Sequence, residues 1–578
     1  MHVRSPTALR FAYLTLLGAL LALTTGSHRA PAVVAQETRP NIVVIETDDQ
    51  TAASLRFMPN VNQLLVKQGV LFENNFASYP LCCPSRATFL TGQYAHNHGV
   101  RGNKPPLGGY VALDHTNTLP IWLQQAGYHT SFVGKYLNGY GEGIEGEINP
   151  EEPPGWSDWN AVVRTPGKAT ISYVGFTLNE NGTLVEYPPN QANYLTDVFT
   201  RKAIEAINRG ASSGSPFFLW LAHFAPHGGL PVDPDDNRGV KGVNLNPSPA
   251  ARHKDMFSSE RVPPSPAFNE ADVSDKPHLI SKLPRLTEAQ MDAIHETYQQ
   301  RLEALQAVDE GVAQIVQALR NARQLANTLI VFTSDNGLMH GEHRIMPDAG
   351  KGYAYEPSTR VPLVMRGLDL PRGHHVADLV SNVDLAPTIL ALTKATPGRV
   401  QDGRSLLPLA RDRLANFGRD LLLESSRFTA IRTDRYVLIS HYRRSAWELY
   451  DLKTDRYELR SLHRDPKVRS LRAELARRLL DLGTCFGAFC LEDPHVRLRL
   501  TARSGGSVQA DVVGGDADWI ATTRFYVGGK RVAADNLTPF GATLPSTLFT
   551  SEVATVRARV NTKDGRSVTL TTRVALQP

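Results

Sequence analysis

Cysteine is scarce in this chain, which has 578 residues and only four cysteines. That number excludes a small disulfide scaffold, whose stability depends on many cross-links. Cys485 and Cys490 are close enough in sequence to close a small loop, and we expect a disulfide between them in an exported protein. Cys82 and Cys83 are left over, which fits one of them being used for chemistry.

Long hydrophobic runs are missing after the first 35 residues. Phe11–Leu23 is apolar, but it is too short to span a bilayer and it follows the basic residues Arg4 and Arg10. Small residues at Val33–Ala35 suit a cleavage site, so residues 1–35 are predicted to be a secretory signal, with a short membrane anchor as the alternative. We expect a secreted or periplasmic protein without a membrane span.

A strong charge of one sign is also absent. The formal net charge is +5, and residues 1–35 hold three arginines and no acid, which leaves +2 for the rest. Such a balance argues against nucleic acid and against a membrane surface as partners. Lysine is rare, with 15 residues against 47 arginines, so lysines at strand or loop ends stand out.

Four apolar runs that end in polar residues are typical of strands buried on both faces. They are Asn41–Ile45 before Glu46–Asp49, Leu329–Phe332 before Thr333–Gly337, Phe217–Leu221 before His223 and His227, and Thr130–Val133 before Gly134 and Lys135. Amphipathic helices are predicted between them, at Asn60–Gln68 and along Leu302–Leu319. The pattern predicts an α/β domain over residues 36–395, with ligands at the carboxyl ends of the strands.

Beyond residue 395 the pattern changes, and two further domains are predicted. Residues 396–492 have the pattern of an α+β subdomain, and residues 493–578 that of a β-sandwich of immunoglobulin-like size. Within the subdomain we expect a helix at Ser470–Leu482 and strands at Thr429–Ile439, Trp447–Leu452 and Tyr457–Leu459. Residues 228–285 are rich in Pro, Asp and Asn, which indicates a long loop region beside the site.

The segment around the paired cysteines has helix-boundary residues at both ends. Pro84 suits the first turn of a helix and Gly92 its end, so we expect Cys82 just before a short helix at Ser85–Thr91. The N-terminus of such a helix favours anions, and Arg86 adds a fixed positive charge. The segment therefore predicts an anion-binding site beside a reactive side chain.

By themselves the two cysteines allow three other interpretations. A disulfide between Cys82 and Cys83 is strained and rare, whereas a buried free cysteine is common. A thiolate metal site would need further ligands, and only His96 and His98 are near in sequence.

Oxygen-bearing side chains follow two of the predicted strands, at Asp48, Asp49, Asp335 and Asn336. Oxygen-only ligand sets suit hard divalent cations, Ca²⁺ more readily than Mg²⁺ when the ligands all come from protein. Acids at strand ends also serve as helix caps, which is the alternative. Two pairs at matched strand ends favour a metal site.

Cys82–Arg86, followed by Leu90–Gly92, resembles the signature of the type I sulfatases. In that family the first cysteine of the motif is converted to the aldehyde formylglycine (3-oxoalanine) by a formylglycine-generating enzyme. The resemblance covers residues 39–490 and implies an alkaline-phosphatase-like sulfatase fold. That fold has a large mixed or parallel sheet flanked by helices and a smaller C-terminal antiparallel sheet subdomain. The added β-sandwich lies outside the resemblance.

The resemblance also implies the residues of the site. The calcium ligands that it implies are Asp48, Asp49, Asp335, Asn336 and the formylglycine made from Cys82. The catalytic groups that it implies are Cys82, Arg86, Lys135, His227 and Lys351. In the implied mechanism a hydroxyl of the hydrated aldehyde attacks sulfur, the cations stabilise the sulfuryl oxygens, and His227 or Lys351 protonates the leaving alcohol. The second hydroxyl then expels sulfate and regenerates the aldehyde.

Among sulfatases, the chain most resembles the N-acetylglucosamine-6-sulfatase and heparan sulfate endosulfatase branch. The similarity is carried by Cys82–Arg86, His96–His98 and Gly134–Tyr140. One position departs from the pattern, because Leu137 stands where many sulfatases have a histidine, with Asn138 next. The proton-handling role of that histidine is therefore not carried over, and Asn138 is left to orient a hydroxyl.

The resemblance implies hydrolysis of sulfate esters, with a sulfated carbohydrate such as glucosamine-6-sulfate or an aryl sulfate as substrate. Two alternatives stay open: a formylglycine-dependent phosphodiesterase or phosphonate monoester hydrolase, and a non-catalytic protein that binds sulfated glycans. Residues 228–285 and Gly141–Trp159 are expected to wall a saccharide cleft. Trp156, Trp159 and Tyr187 are available to stack on sugars, unless they belong to the core.

Overall fold

The computed structural model describes residues 39–576, except for residues 143–147, 150, 165–169, 232–239, 244–245, 444–445, 492–495, 515–519, 552 and 563–566. The predicted signal at residues 1–35 lies outside the described residues. Within the part that is described, no helix combines the length and the apolar character needed to cross a membrane.

The strands of the described residues are β1 Asn41–Thr47, β2 Val70–Phe76, β3 His129–Gly134, β4 Asp158–Val163, β5 Phe176–Glu180, β6 Thr183–Tyr187, β7 Phe217–Ala222, β8 Thr328–Ser334, β9 Leu363–Arg366, β10 His374–Ser381, β11 Leu421–Glu424, β12 Phe428–Arg432, β13 Tyr436–His441, β14 Trp447–Asp451, β15 Val496–Ala502, β16 Val508–Gly514, β17 Ile520–Val527, β18 Lys530–Asp535, β19 Gly541–Leu544, β20 Val553–Thr562 and β21 Ser567–Ala575. The α-helices are α1 Pro59–Val61, α2 Cys82–Thr91, α3 Ala95–His98, α4 Leu119–Gln125, α5 Leu195–Ser212, α6 His278–Ser281, α7 Glu288–Asn321, α8 Glu356–Thr359, α9 Leu385–Thr393, α10 Leu407–Arg411 and α11 Arg469–Leu482.

The first ten strands form one sheet in the order β10-β2-β9-β8-β1-β7-β3-β4-β5-β6. Its centre is parallel, because β8, β1, β7, β3 and β4 each pair in parallel with the next. β9 pairs antiparallel with β8, and β5 with β4, so the sheet is mixed. Every residue of β1, β7 and β8 is buried, as expected of strands that are covered on both faces.

Helices cover both faces of this sheet. Side chains of β1 alternate between two apolar cores, with Ile42 and Val44 on one face and Val43 and Ile45 on the other. α2, α4 and α9 contribute to the first core, and α5 and α7 to the second. The layered α/β architecture predicted from the sequence is therefore confirmed.

Two helices differ from their predicted form. α2 begins at Cys82 rather than at Ser85, and it ends where Gly92 takes a left-handed conformation with φ 66°. The earlier start is compatible with Pro84, whose missing N–H still lies in the first turn. The segment Asn60–Gln68, predicted as one regular helix, is divided between α1 and a π-helical stretch.

The C-terminal part of the chain contains smaller antiparallel sheets, which completes the predicted fold class. β11 to β14 form one sheet, with α11 packed on it. The strand predicted at Tyr457–Leu459 is absent from this described segment, because Glu458 has a left-handed φ of 57° that interrupts extended pairing. β15-β16-β19 and β18-β17-β20-β21 enclose a further apolar core around Phe525 and Val556. The exact domain boundaries remain predictions.

Candidate active site

The carboxyl ends of four neighbouring strands meet at one edge of the large sheet. β8, β1, β7 and β3 are consecutive in the strand order and run parallel. Asp335 follows β8, Asp48 follows β1 and Lys135 follows β3, while His227 lies on the loop after β7. This topology brings together polar residues that are far apart in sequence.

Three carboxylates form the acidic part of the site. Asp48, Asp49 and Asp335 are buried, and an oxygen of each lies within 4.8 Å of those of the other two. Burial, with Asp48 next in effect, raises the pKa of Asp335. Asn336 donates from Nδ2 to Asp49 Oδ1 at 2.7 Å, while its buried Oδ1 has no hydrogen-bond partner among the described residues. A divalent cation would relieve both the repulsion and the unpaired oxygen, so this donor set fits Ca²⁺.

Cys82 lies fully buried at the start of α2, between the acids and a lysine. Its Sγ is 3.6 Å from Asp48 Oδ1 and 3.4 Å from Lys351 Nζ. Burial, reinforced by Asp48, raises the pKa of the thiol to about 12, although Lys135 and Lys351 lower it. Cys83 instead packs in the apolar core beneath α2, and both thiols are free. Only Cys82 therefore faces the polar centre.

Arg86 is a buried cation in α2 that contacts three carboxylates. Nε donates to Asp335 Oδ2 at 2.9 Å and Nη2 to Asp48 Oδ2 at 3.1 Å, while Nη1 lies 3.6 Å from Glu46 Oε2. Burial alone would lower the pKa of Arg86, but the three carboxylates raise it above its usual value. The guanidinium is therefore a permanent positive charge that holds two of the acids in place.

Lys135 and Lys351 bring two ammonium groups to the same centre. Lys135 Nζ is hydrogen-bonded to Asp48 Oδ2, and Lys351 Nζ lies 2.6 Å from Asp49 Oδ1. Burial alone would lower the pKa of each lysine, but the neighbouring carboxylates raise both values. Both lysines therefore remain protonated near neutral pH and can donate to an anion.

His227 presents one ring nitrogen to the acids. Its Nε2 lies 3.8 Å from Asp49 Oδ2, and its Nδ1 lies 2.7 Å from the carbonyl oxygen of Gly228. Because a carbonyl oxygen only accepts hydrogen bonds, Nδ1 is the protonated nitrogen. Burial, followed by the charges of Lys351 and Lys135, lowers the pKa of His227 to about 4. The ring is therefore neutral near pH 7.

The histidines of the His96–His98 motif do not contact the thiols of α2, and they form hydrogen bonds with other residues instead. His96 contacts Glu424 Oε2 at 3.2 Å through Nδ1 and the carbonyl oxygen of Cys485 at 2.9 Å through Nε2. His98 Nε2 lies 3.1 Å from a threonine hydroxyl of α2. Cys485 is joined to Cys490 by a disulfide, with Cα atoms 5.0 Å apart. The motif therefore ties this cross-linked loop to the domain that holds the site.

The segment after Lys135 has no proton-handling side chain at its second position. Leu137 is buried in the apolar core. The backbone carbonyl of Asn138 accepts from the N–H of Tyr110 at 2.7 Å. The side-chain Oδ1 of Asn138 is buried without a hydrogen-bond partner among the described residues.

For the aromatic residues considered for sugar stacking, the structure supports the alternative that they pack with the core, fully for Trp159 and in part for Trp156 and Tyr187. Trp159 is fully buried on β4 and stacks on Phe132, with ring centroids 4.6 Å apart. Trp156 packs against the same core, and Tyr187 stacks on Phe176. Their large apolar surfaces gain more from burial in the core than from exposure to solvent.

Two residues of the site were not singled out from the sequence. Glu46 lies behind the acids and accepts from Trp220 Nε1 at 3.0 Å. Arg301, on α7, donates to the carbonyl oxygen of Asp49 at 2.5 Å and to that of Pro226 at 2.8 Å. Arg301 could have been recognised in the sequence as a charged residue on the apolar side of an amphipathic helix.

A cavity of about 1060 Å³ adjoins the loop that carries Lys351. Gly352 and Tyr353 line it, and the N–H of Gly352 donates at 2.9 Å to the carbonyl oxygen of Pro80, two residues before the buried thiol. Part of the predicted loop region 228–285 forms another wall, and β12 and β13 form a third. Lining residues from these walls include Lys241, Leu279, Arg427, Phe428 and His441.

Two family profiles match the chain. The Sulfatase profile matches residues 40–395. The profile of the N-sulphoglucosamine sulphohydrolase C-terminal region matches residues 341–484. Together they cover the large sheet, the strand ends that carry the site and the whole antiparallel sheet of β11 to β14.

Similar proteins include sulfatases from several eukaryotes. The chain is 32% identical over 525 residues to an arylsulfatase of Volvox carteri, covering 82% of this chain and 78% of that protein. It is 32% identical over 407 residues to the human N-acetylglucosamine-6-sulfatase, covering 68% of each. It is 33% identical over 380 residues to an extracellular sulfatase Sulf-1 homologue of Caenorhabditis elegans, covering 64% of this chain but only 49% of that protein.

Solved structures share the fold at lower identity. One is a protein in complex with its substrate D-glucosamine-2-N,6-O-disulfate, with TM-score 0.62, 23% identity and coverage of 77% of this chain and 97% of that one. Another is the phosphonate monoester hydrolase of Agrobacterium radiobacter, with TM-score 0.58, 22% identity and coverage of 77% and 95%. At these identities the likeness concerns the fold.

Proposed function

Because the chain belongs to the sulfatase family, as its cysteine motif predicted, we propose that it is a sulfuric ester hydrolase that uses a formylglycine made from Cys82 and a bound calcium ion. The observation that carries this proposal is that charged side chains of both signs surround Cys82. They are the carboxylates of Asp48 and Asp335 and the ammonium groups of Lys135 and Lys351. Asp48 and Lys351 contact its Sγ directly. That Sγ marks the position of the oxygen that the aldehyde would carry.

An unmodified cysteine is a poor nucleophile in this setting. The pKa of the Cys82 thiol is raised to about 12, chiefly by burial, so the thiolate is a minor species near neutral pH. Conversion to an aldehyde that adds water would supply hydroxyl groups in its place. We therefore propose a formylglycine-generating enzyme as a maturation partner.

The proposed calcium ligands are Asp48, Asp49, Asp335, Asn336 and the modified residue 82. The unpaired Asn336 Oδ1 and the close carboxylate oxygens support this assignment. When bound, calcium would supply positive charge at the position where the nucleophile forms. Oxygen-only ligands favour it over softer metals.

The remaining residues handle the sulfate and the leaving alcohol. Arg86 and Lys135 supply fixed positive charge to the sulfuryl oxygens. Lys351 is proposed to give a proton to the leaving alcohol, because an ammonium group has donors to spare. His227 uses its Nδ1 proton on a carbonyl, so its Nε2 is proposed to accept a hydrogen bond within the site.

The proposed substrate is a sulfated sugar, with the leaving group held in the cavity beside Lys351. The cavity is lined by Gly352 and Tyr353, the two residues that follow Lys351 in the sequence. Tyr353 is partly buried beneath Arg427, whose guanidinium carbon lies 4.9 Å from the ring centroid. Relatives named N-acetylglucosamine-6-sulfatase support 6-O-sulfated glucosamine as the class. We propose an exported location, on the basis of the predicted signal and of that substrate.

Parallel kinetics on matched esters test the proposal. The protein is expected to release sulfate from an aryl sulfate and from N-acetylglucosamine-6-sulfate, with at most slow turnover of the matched aryl phosphonate. Faster turnover of the phosphonate would contradict the sulfatase assignment and favour a phosphonate hydrolase. Binding of sulfated glycan without any turnover would instead favour a binding protein.

A second comparison tests the cavity. Leu279 lines the cavity and is exposed, so Leu279→Arg places a longer side chain there without disturbing the core. This variant is expected to raise KM for the sugar while leaving turnover of a small aryl sulfate unchanged. Equal effects on both substrates, in a folded variant, would contradict the leaving-group role of the cavity.

A further inference from the structure

Arg301 makes hydrogen bonds that join two loops of the active site. It lies on α7 and is buried, with one terminal nitrogen 2.5 Å from the carbonyl oxygen of Asp49 and the other 2.8 Å from that of Pro226. Asp49 belongs to the loop after β1, and Pro226 belongs to the loop after β7. One guanidinium therefore connects the ends of two different strands.

The burial of Arg301 is costly and calls for a function. Among the described residues, no carboxylate lies within ion-pair distance of its guanidinium. Burial lowers the pKa of Arg301, although the more distant charges of Asp49 and Asp48 raise it, and the hydrogen bonds to the two carbonyls satisfy its donors. Its neighbours Leu302 and Leu305 pack in apolar cores, where an apolar side chain at position 301 would avoid this cost. The charged fork is suited to bridging two acceptors, which neither Leu nor Met can do.

The hydrogen bond from Arg301 stabilises the backbone conformation of Asp49. Its φ is 72°, a left-handed conformation that is unfavourable for a residue with a side chain. Its N–H donates to Asp335 Oδ1 at 3.1 Å, and its carbonyl oxygen accepts from Arg301. With both backbone groups fixed, the Asp49 carboxylate is aimed at Asn336 and Lys351, at 2.7 Å and 2.6 Å.

The second contact fixes the loop that carries His227. Pro226 precedes His227 directly, and the carbonyl oxygen of His227 accepts from Tyr173 Oη at 2.8 Å. The carbonyls on both sides of this short segment are therefore held by buried side chains. α7 is 34 residues long and packs along the sheet, so it is a rigid support for the guanidinium.

We propose that Arg301 is a positioning residue that sets the mutual arrangement of Asp49 and His227. The proposal rests on the proposed function, since it takes Asp49 as a calcium ligand and His227 as part of the site. Arg301 acts through the two backbones and does not itself touch substrate.

Calcium binding without turnover is the first test. Calorimetry without substrate compares calcium binding by Arg301→Met and Arg301→Lys with that of the parent protein, whose residue 82 is retained. We expect calcium affinity to fall by about 10- to 100-fold in both variants, as for other residues that orient metal ligands. Arg320→Met, on the exposed end of the same helix, is the matched control and is expected to bind calcium as the parent does. Native affinity in both folded Arg301 variants would overturn the proposal.

The reaction itself gives a second readout in the same proteins. Both Arg301 variants are expected to lose about 10- to 100-fold in kcat with little change in KM. The loss is expected to be greater for a sugar alcohol leaving group than for a nitrophenol, because the poorer leaving group depends more on aligned proton donation. Added guanidinium is expected to restore part of the rate of Arg301→Met. A loss of melting temperature alone, with native kcat and leaving-group dependence, would show a merely structural residue.

The two proposals fail in different ways. If the parent protein binds no calcium but the Arg301 variants still lose more kcat with the sugar alcohol than with the nitrophenol, the metal assignment is wrong and the positioning role stands. If the parent binds calcium and the Arg301→Lys protein, which retains the charge, is native in both readouts, the positioning role is wrong. Arg301→Lys decides the question if Arg301→Met does not fold.

Discussion

Lys351 Nζ lies 3.4 Å from Cys82 Sγ, although 269 positions separate the two residues in sequence. The same ammonium group is 2.6 Å from Asp49 Oδ1. One lysine thus contacts both the side chain proposed to become the nucleophile and a proposed calcium ligand. The residue that follows it, Gly352, lines the cavity.

The first prediction separates the two adjacent cysteines. Cys82→Ala is expected to lower kcat by about 10⁴- to 10⁶-fold, because it removes the proposed nucleophile, while the fold is retained. Cys83→Ala is expected to keep most of the activity and to lower the melting temperature slightly, because Cys83 packs in the core. Sulfate release and thermal melting check both variants. Equal loss of activity from both would contradict the assignment to Cys82.

The second prediction concerns the metal. Asp335→Ala is expected to weaken calcium binding by about 100-fold or more and to lower the rate in parallel, since it removes a carboxylate that also orders Arg86. Asp292→Ala, an exposed acid on α7, serves as the control. Exhaustive chelation of the parent protein should abolish turnover, and added calcium should restore it. An unchanged rate after chelation would disprove a catalytic metal.

The third prediction concerns the β-sandwich. Its apolar core is formed by its own strands, and its contacts with the preceding part include the ion pair between Arg557 and Asp412 at 2.9 Å. Truncation at about Glu492 is therefore expected to leave hydrolysis of a small aryl sulfate largely intact. Arg557→Ala in the full chain tests the contact separately and should also leave the rate unchanged. A truncated protein that folds but is inactive would refute the independence of the sandwich.

Most of the site was predictable because strand ends can be recognised in sequence. β1, β3, β7 and β8 are continuous apolar runs, and parallel neighbours place their carboxyl ends at one edge. Asp48, Asp335 and Lys135 follow these runs directly, so their neighbourhood could be inferred before any coordinates. The type of reaction could not, because it depended on the resemblance of Cys82–Arg86 to a known motif.

The parts that were missed depend on contacts that sequence spacing does not encode. Arg301 contacts backbone carbonyls from a helix, and it lies 252 positions after Asp49 in the sequence. The sequence left open whether Trp159 stacks on sugar or belongs to the core, and the structure stacks it on Phe132 from the neighbouring strand. The cavity is lined by three segments that are far apart in the sequence, so only part of its lining could be predicted from the sequence.

The mass of the peptide that contains Cys82, measured beside specific activity in the same preparations, tests the central claim most directly. The account predicts an aldehyde at position 82, in a fraction that rises in proportion to activity when preparations of different maturation are compared. Full sulfatase activity in a preparation whose Cys82 is entirely unmodified thiol would contradict the account.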